Sequence, residues 1–261
     1  MPPFDEADLY SGSAALMWAA YDEPGWDHAY YKNVIAKNGG VALDIGCGTG
    51  RLLRSYLRAG LRVEGVDIAA DMLTQCRRLA AAEGLEVTLY HQPMQALDLP
   101  DKYATIYIPC GSFACVMDRR QSLEALRRLK AHLAPGGELV FNLFIEEDAK
   151  PGEVASQQWV DWATKTLPDG KTLFVDRRVM HIDRIEQAVT EERRYRIVDG
   201  DSRELPALHE EVRTGGYRWY TRNEALWLCE LASLTVEKIT GDYKDELFNE
   251  SHRGTMVFHA R

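Results

Sequence analysis

Paired or clustered cysteines are the clearest absence in this sequence. The chain of 261 residues has five cysteines, an odd number, and none of them has the C-x-x-C spacing of zinc and redox sites. Isolated thiols argue against a disulfide framework and against a metal site, and they are typical of a reducing compartment. The five are Cys47, Cys76, Cys110, Cys115 and Cys229.

Uninterrupted basic runs and long apolar runs are also missing. The formal net charge is −9, and no run of lysine and arginine lacks interleaved acids. A surface of this charge repels the phosphates of nucleic acids and anionic lipids. No stretch reaches the roughly 20 apolar residues of a transmembrane helix, and acids occupy the N-terminus where a signal peptide needs basic residues. The sequence therefore predicts a cytoplasmic protein without nucleic-acid or membrane partners.

Short apolar runs that alternate with amphipathic helical patterns are present in the first part of the chain. The runs predict strands at 41–45, 62–66, 86–90, 103–108 and 138–145, the last of them after a helix that stops at "APGG". This alternation favours an α/β fold with a parallel sheet and helices on both faces. Ligands of such sheets lie beyond the carboxyl end of the strand at which the strand order reverses, here the first strand.

The pattern changes after residue 150. "KTLFVDRRVMHI", "AVTEERRYRIV" and "HEEVRTGGYRWYT" predict antiparallel strands that are half exposed. A helix at 223–231 and strands at 234–240 and 254–259 would complete the main sheet. We therefore predict four segments: an N-terminal helical flap (1–40) with a break at Pro24-Gly25, a core (41–150), an antiparallel insertion (151–220) and a C-terminal segment (221–261).

The stretch "ALDIGCGTGRLL" at 42–53 follows the first predicted strand and is rich in glycine. Gly46 and Gly48 fit the dinucleotide fingerprint G-x-G-x-x-G, but Arg51 occupies the place of the third glycine, and Gly50 comes one residue early. No G-K-[ST] follows, so the stretch is not a P-loop. The loop therefore suits a nucleotide without a pyrophosphate.

Two acids accompany the glycine loop. Asp67 lies at the end of the second predicted strand, where a carboxylate accepts hydrogen bonds from ribose hydroxyls. Its alternative role is to cap the helix that follows. Asp44 precedes the glycines and could hold a cationic group. An adenosine with a positively charged tail, such as S-adenosyl-L-methionine, satisfies these features.

These stretches together resemble a known family. "VALDIGCGTGRLL" and "VEGVDIAADML" resemble the first two motifs of class I S-adenosylmethionine-dependent methyltransferases, and "YATIYIPCGSF" and "LKAHLAPGGELVF" resemble later motifs. The resemblance covers residues 41–145 and the C-terminal strands. It implies a Rossmann-like, mostly parallel sheet of seven strands, with the antiparallel insertion roofing the active site.

The resemblance also implies the cofactor site. The glycine loop would approach the methionine tail, Ile68 and Met72 would line the adenine, and Met94 would offer it backbone contacts. Pro93 replaces an acid that often binds the adenine amino group, so Gln92 or Gln95 would substitute. The implied cofactor residues are Asp44, Gly46, Cys47, Gly48, Gly50, Asp67, Ile68, Met72, Pro93, Met94, Gln95 and Pro109.

The acceptor site is expected after the fourth strand, at 108–113. The Asn/Asp-Pro-Pro-Tyr/Phe motif of enzymes that methylate bases or amides is missing there. The layout of the insertion resembles glycine N-methyltransferases and amino-sugar N,N-dimethyltransferases, which implies a small-molecule acceptor with an amine nitrogen or a hydroxyl oxygen. We predict Tyr21 and His181 as catalytic residues, His181 because it alternates with Val179 and Arg177. The predicted substrate-binding residues are Tyr10, Trp18, Ser112 and Phe113.

Several alternatives stay open at this point. Four roof arginines could bind an acidic substrate, or they could pair with the acids beside them on a solvated surface: Arg177, Arg178, Arg193 and Arg194. Trp18 and Tyr21 could be core residues, and His181 could be a surface residue. The rival functions are a non-catalytic module that binds S-adenosylmethionine or its demethylated product, and a nicotinamide-dependent oxidoreductase. Pairing of two copies through the insertion is a further expectation.

Overall fold

The computed structural model describes residues 6–21, 23, 25–145 and 157–261. Its helices are α1 (Ser13–Ala19), α2 (His28–Asn38), α3 (Arg51–Arg58), α4 (Ala70–Ala82), α5 (Arg119–Ala131) and α6 (Arg222–Leu231). Its strands are β1 (Val41–Ile45), β2 (Arg62–Asp67), β3 (Leu89–His91), β4 (Tyr103–Ile108), β5 (Leu133–Phe144), β6 (Val160–Thr166), β7 (Thr172–Asp183), β8 (Ala188–Val198), β9 (His209–Arg218), β10 (Val236–Gly241) and β11 (Thr255–Ala260).

Seven strands form the main sheet in the order β10-β11-β5-β4-β1-β2-β3. Strands β1 to β5 are parallel, and β11 pairs antiparallel with both β5 and β10. The predicted α/β fold class and its mostly parallel seven-stranded sheet are confirmed. Strand β1 lies between β2 and β4, so the strand order reverses at β1, and ligands are expected at its carboxyl end.

Helices cover both faces of the main sheet because each has an apolar side. Leu126 of α5 and Cys229 of α6 are buried with Phe141 of β5 in one cluster. Leu53 of α3 and Cys76 of α4 are buried in the other cluster, on the opposite face. Since both faces of β1 are covered by helices, only its carboxyl end is open to a ligand.

Four antiparallel strands form a separate sheet in the order β6-β7-β8-β9, which we call the roof sheet. Three of its strands were predicted, but β6 was missed because polar residues fill its sequence, "VDWATKT". Strand β5 also differs from the prediction, since it begins at Leu133 and takes in "APGG", with an irregular register between Tyr103 and Thr105 of β4. No helix in the described part of the chain is long and apolar enough to cross a bilayer.

A buried polar network ties α2 to strands β5 and β11 of the main sheet. His259 Nδ1 lies 2.6 Å from Glu138 Oε1, and Asn38 Nδ2 donates to Glu138 Oε2 at 2.7 Å. The Tyr30 hydroxyl lies 2.5 Å from His259 Nε2. Burial alone would raise the pKa of Glu138, but the hydrogen bonds from His259 and Asn38 outweigh it and lower this pKa to about 2.

This network should make folding stability depend on pH in the acid range. The folded-state pKa of Glu138 lies below its ordinary value of 4.5, so its ionised form stabilises the fold above that value, and the contribution is lost as the pH falls from 4.5 towards 2. We expect Glu138→Gln to lower the free energy of unfolding by about 2 kcal/mol at neutral pH. Urea titrations should show this difference shrinking in acid, and a difference that is constant with pH would contradict the assignment.

Candidate functional site

The glycine loop lies at the carboxyl end of β1. The backbone amides of Gly46 and Cys47 both donate to the carbonyl oxygen of Val66 on β2, at 2.8 and 3.0 Å. Gly46 has a φ of +70°, and a Cβ there would lie 3.0 Å from Ser112. The loop therefore turns sharply between β1 and α3 and leaves its backbone open to a ligand.

Asp67 braces this loop. One carboxylate oxygen accepts from the amide of Gly48 at 2.7 Å, and the other accepts from the amide of Ala69 at 2.8 Å. Asp67 is 7% exposed, and burial raises its pKa although the two amides oppose the shift. Because a carboxylate has about four acceptor positions, two remain for hydroxyl groups of a ligand. Capping and ligand binding are thus compatible roles for this residue.

A first cavity of about 180 Å³ opens beside the loop. It is lined by every predicted cofactor residue except Gly50: Asp44, Gly46, Cys47, Gly48, Asp67, Ile68, Met72, Pro93, Met94, Gln95 and Pro109. Gly50 lies outside the cavity as the residue before α3, with a φ of +83° and no room for a side chain beside Cys76. Gly50 therefore affects the shape of the loop and does not contact the cavity.

Asp44 gives this cavity a preference for a cation. The residue is 1% exposed, and within the described residues its Oδ1 has no partner at hydrogen-bonding distance. Burial raises the pKa of Asp44 to about 8, although the Tyr107 hydroxyl and Arg51 oppose the shift. A buried carboxylate with one oxygen unsatisfied is costly to ionise unless a positive group neutralises it. A ligand with a ribose for Asp67 and a cationic tail for Asp44 therefore fits the residues present.

A second cavity of about 780 Å³ lies between the flap, the segment after β4 and the roof sheet. Nine of its 26 lining residues are aromatic, and Tyr217 and Trp219 contribute to it from β9 and just beyond. Residues common to both cavities mark the boundary between them: Tyr10, Trp18, Tyr21, Arg51, Cys110 and Cys115. The predicted residues Tyr10, Trp18 and Tyr21 are thus brought together where two ligands would meet.

Helix α1 separates the core from the roof sheet and is buried on both sides. Met17 lies in a buried cluster with Val175 and Tyr195 of the roof sheet. Ala15 lies in another cluster with Met72 of α4. The α1 helix therefore contributes to both cavities at once.

Hydrogen bonds also fix the start of α1 to the core and to the roof sheet. The amide of Gly12 donates to Asp71 of α4 at 2.7 Å, and the amide of Ser13 donates to Glu211 of β9 at 2.5 Å. These acids satisfy two backbone donors at the helix N-terminus.

The roof arginines divide between the two faces of their sheet. Arg177 and Arg193 face the second cavity, where both bind Glu191, a residue 1% exposed, at 2.5 and 2.6 Å. Arg194 faces outward and binds Asp176 at 2.7 Å. Arg178 binds Glu192 at 2.6 Å, so all four arginines pair with acids. They point to different faces because successive side chains of a strand alternate in direction, and binding of an acidic substrate stays a prediction.

Arg193 retains an unused donor. Its Nη1 is buried and has no described partner with good hydrogen-bond geometry, and the Tyr195 hydroxyl, which is buried as well, lies close to the guanidinium. Its guanidinium lies 4.3 Å from the ring centre of Trp162, which holds it flat against the cavity. An anionic group in the second cavity would satisfy this donor.

Two predicted site residues lie elsewhere. His181 is exposed and lines neither cavity, because the register of β7 against β8 shifts between Val179 and His181 and breaks the alternation. Phe113 is buried in the core, with its ring 5.5 Å from that of Phe141, because the 3₁₀ turn at 112–115 directs it inward. Ser112, in the same turn, does line the first cavity.

Sequence reasoning missed most residues of the second cavity, and Asp27 and Trp162 illustrate why. Asp27 stands before α2 in a stretch that carries no motif, and Trp162 lies on the unrecognised strand β6. Arg51 was noted only as a departure from the dinucleotide fingerprint. It could have indicated an acidic partner such as Asp27, because a buried arginine needs an acid.

Thiols and phenols at the boundary between the cavities are held protonated. The Tyr10 hydroxyl lies 3.3 Å from Cys115 Sγ. The neighbouring Cys115 and burial raise the pKa of Tyr10 well above its usual range, and burial raises that of Cys115 as well. Burial also raises the pKa of Cys110, to about 11. These three groups are therefore neutral at physiological pH.

Comparison with known proteins agrees with this geometry. A family model described as a methyltransferase domain matches residues 42–137. A dTDP-3-amino-3,6-dideoxy-alpha-D-glucopyranose N,N-dimethyltransferase of Streptomyces fradiae is 28% identical over 200 residues, which span 76% of this chain and 71% of that protein.

Solved structures share the fold along nearly the whole chain. An S-adenosylmethionine-dependent methyltransferase from Clostridium acetobutylicum superposes with a TM-score of 0.73 at 16% identity, covering 92% of each chain. The amino pentose methyltransferase CalS10 from Micromonospora echinaspora, solved with S-adenosylmethionine bound, gives a TM-score of 0.63 at 21% identity, covering 96% of this chain and 98% of that one. Residues 42–137 therefore match a methyltransferase-domain model, and the chain shares the fold of solved S-adenosylmethionine-dependent methyltransferases over most of its length.

Proposed function

We propose that this protein methylates an amine nitrogen of a small molecule that also carries an anionic group, with S-adenosylmethionine as the methyl donor. The observation that carries the proposal is the pair of cavities that meet at Tyr10, Trp18 and Tyr21. A module that only senses the cofactor has no use for the larger cavity, and a nicotinamide cofactor is disfavoured because Arg51 stands where the dinucleotide fingerprint needs its third glycine. Cytoplasmic location and pairing through the roof sheet stay predictions.

The first cavity would hold the donor by three kinds of contact. Asp67 would accept from the ribose hydroxyls with its two free acceptor positions, and Asp44 would face the cationic part of the tail. Ile68 and Met72 would cover the adenine, and the backbone at Met94 would bind its edge. When bound, S-adenosylmethionine supplies a methyl group on a positively charged sulfur. Holding both reactants in one geometry, away from water, is the main contribution of the protein.

The groups at the boundary favour an amine over a hydroxyl acceptor. A hydroxyl must lose its proton as it attacks, which requires a base, whereas an unprotonated amine can attack with its lone pair. Tyr10, Cys110 and Cys115 line both cavities, and their raised pKa values keep them protonated. Within the described residues, no carboxylate lines both cavities, and no histidine lines either cavity.

The roof sheet supports an anionic group on the acceptor. Five basic side chains and three acidic ones line the second cavity: Arg51, Lys165, Arg177, Arg193 and Arg218 against Glu23, Asp27 and Glu191. An acceptor with a carboxylate or phosphate could bind the free Nη1 of Arg193, while Tyr21 at the boundary would lie beside the amine. The role of Tyr21 in orienting the amine stays a prediction.

A radiolabelled methyl group tests the proposal most directly. We would offer the purified protein three matched sets of acceptors: amino acids and amino-sugar phosphates, the same amines without the anionic group, and the corresponding hydroxy acids and sugar phosphates. Transfer to anionic amines, well above the other sets, is the expected result. Preferential transfer to the hydroxyl analogues would overturn the choice of nitrogen. Tight donor binding without transfer to any set would favour the sensing module.

The buried carboxyl of Asp44 should make donor affinity depend on pH. Its pKa of about 8 in the free protein means that the group must lose a proton before it can face a cation. We expect the affinity for S-adenosylmethionine to rise up to about tenfold per pH unit as the pH approaches 8 from below, and then to level off. Calorimetry from pH 6 to 9 would measure this. The Asp44→Asn variant serves as the control, because titration of the donor itself affects both proteins equally, and parallel curves for the two would rule out the role.

A further inference from the structure

Asp27 and Arg51 form an ion pair at the boundary between the two cavities. Arg51 Nη1 donates to Asp27 Oδ1 at 2.9 Å, and Arg51 Nη2 donates to Asp27 Oδ2 at 2.7 Å. The side chain of Asp27 is 4% exposed and that of Arg51 is 19% exposed. A bidentate pair of this kind fixes both side chains in one geometry.

The chain is packed closely around this pair. A Cβ at Gly25 would lie 2.8 Å from Arg51 Nη1 and also 2.8 Å from Asp27 Oδ1. Cys110, which follows β4 and has a φ of +56°, places its Sγ 3.4 Å from Arg51 Nη2. Two separate parts of the chain, one at Gly25 and Asp27 and the other at Cys110, therefore meet at the guanidinium of Arg51.

The position of Arg51 is electrostatically unfavourable without its partner. It is the first residue of α3, where the helix dipole already carries positive charge. It also lines the cavity in which Asp44 and Asp67 would hold the donor. An unpaired guanidinium there would repel a cationic ligand, because charges a few ångströms apart interact strongly at a partly buried site.

We infer that Asp27 is a positioning residue that neutralises Arg51 and so permits the donor cavity to accept a sulfonium. The inference rests on the proposed use of S-adenosylmethionine. Asp27 itself lines only the second cavity, so it acts through Arg51 and not by touching the donor. Replacing Asp27 should therefore change the affinity for a ligand according to the charge of that ligand and not according to its size.

Two ligands of nearly equal size separate this electrostatic role from a structural one. S-adenosylmethionine has a positively charged sulfur, and S-adenosylhomocysteine has an uncharged thioether in its place. We expect Asp27→Asn to weaken S-adenosylmethionine at least about tenfold more than S-adenosylhomocysteine, measured by calorimetry. The double variant Asp27→Asn with Arg51→Gln should restore the wild-type ratio of the two affinities, since it removes both charges.

Asp8→Asn is the matched control. Asp8 also belongs to the flap and binds an arginine, Arg213 of β9, at 2.9 Å, but it lines neither cavity. This variant should leave the ratio of affinities unchanged. Equal weakening of both ligands by Asp27→Asn, or a double variant that fails to restore the ratio while still binding S-adenosylhomocysteine, would overturn the inference. A wild-type protein that binds neither ligand would instead refute the proposed function.

Discussion

Replacing Asp67 with asparagine should weaken S-adenosylmethionine binding about a hundredfold while the protein stays folded. The carboxylate accepts from two backbone amides, those of Gly48 and Ala69. An asparagine has only one acceptor oxygen, so its NH₂ group would face one of these donors and leave a buried N–H unpaired, at a cost of about 1–3 kcal/mol. The hydrogen bonds from the ribose hydroxyls would also lose their charged acceptor.

Glu64→Gln is the control for this prediction. Glu64 lies on the same strand and accepts from the hydroxyl of Tyr103 at 2.8 Å, which an amide oxygen can also accept. Calorimetry should find donor affinity unchanged in this variant. If Asp67→Asn binds the donor as tightly as the wild type and only lowers the thermal midpoint, then Asp67 is only a cap of the loop.

Replacing Arg193 with methionine should raise the KM for the acceptor about a hundredfold and leave donor affinity intact. The guanidinium lies in the second cavity with a free Nη1, and loss of one partner of a buried charged hydrogen bond costs about 2–5 kcal/mol. Glu191 would keep its ion pair with Arg177, so the carboxylate would not be left alone. The loss should therefore be confined to acceptor binding.

Arg194→Met is the matched control for Arg193. The two arginines are neighbours on β8, and each binds a nearly buried acid, but Arg194 faces away from the cavity. Steady-state kinetics with an anionic amine should show a raised KM only for Arg193→Met. Equal effects of the two substitutions would mean that the arginines only stabilise the roof sheet. The proposal of an anionic acceptor would then lose its support.

The parts of the fold that the sequence could predict are those in which local pattern and burial agree. The strand, glycine loop and helix at 41–58 were recognisable because apolar periodicity and turn residues coincide there. The place of Asp67 at the end of β2 was predictable for the same reason, since the end of a buried strand is a fixed place in such a sheet, and its binding role stays a prediction. The division of the chain into four segments stays a prediction.

The residues that sequence reasoning placed wrongly depend on register or on tertiary contact. His181 faces solvent because one irregularity in pairing reverses the direction of every later side chain. Phe113 joins the core because Phe141 and Tyr220 lie beside it, and neither neighbour is close in sequence. Asp27 was missed since its partner Arg51 is 24 residues away. Such contacts appear only after the chain has folded.

The burial of α1 on both sides has a consequence for how acceptor specificity could diverge. Strands β6 to β9 line the second cavity and not the first. Under the proposed function, substitutions in these strands could therefore change which acceptors bind while donor affinity is preserved. Trp18 lines both cavities, and a change in it alters the fit of two ligands together. Under the proposed function, the roof sheet could therefore change with the acceptor, whereas α1 would be constrained by both ligands.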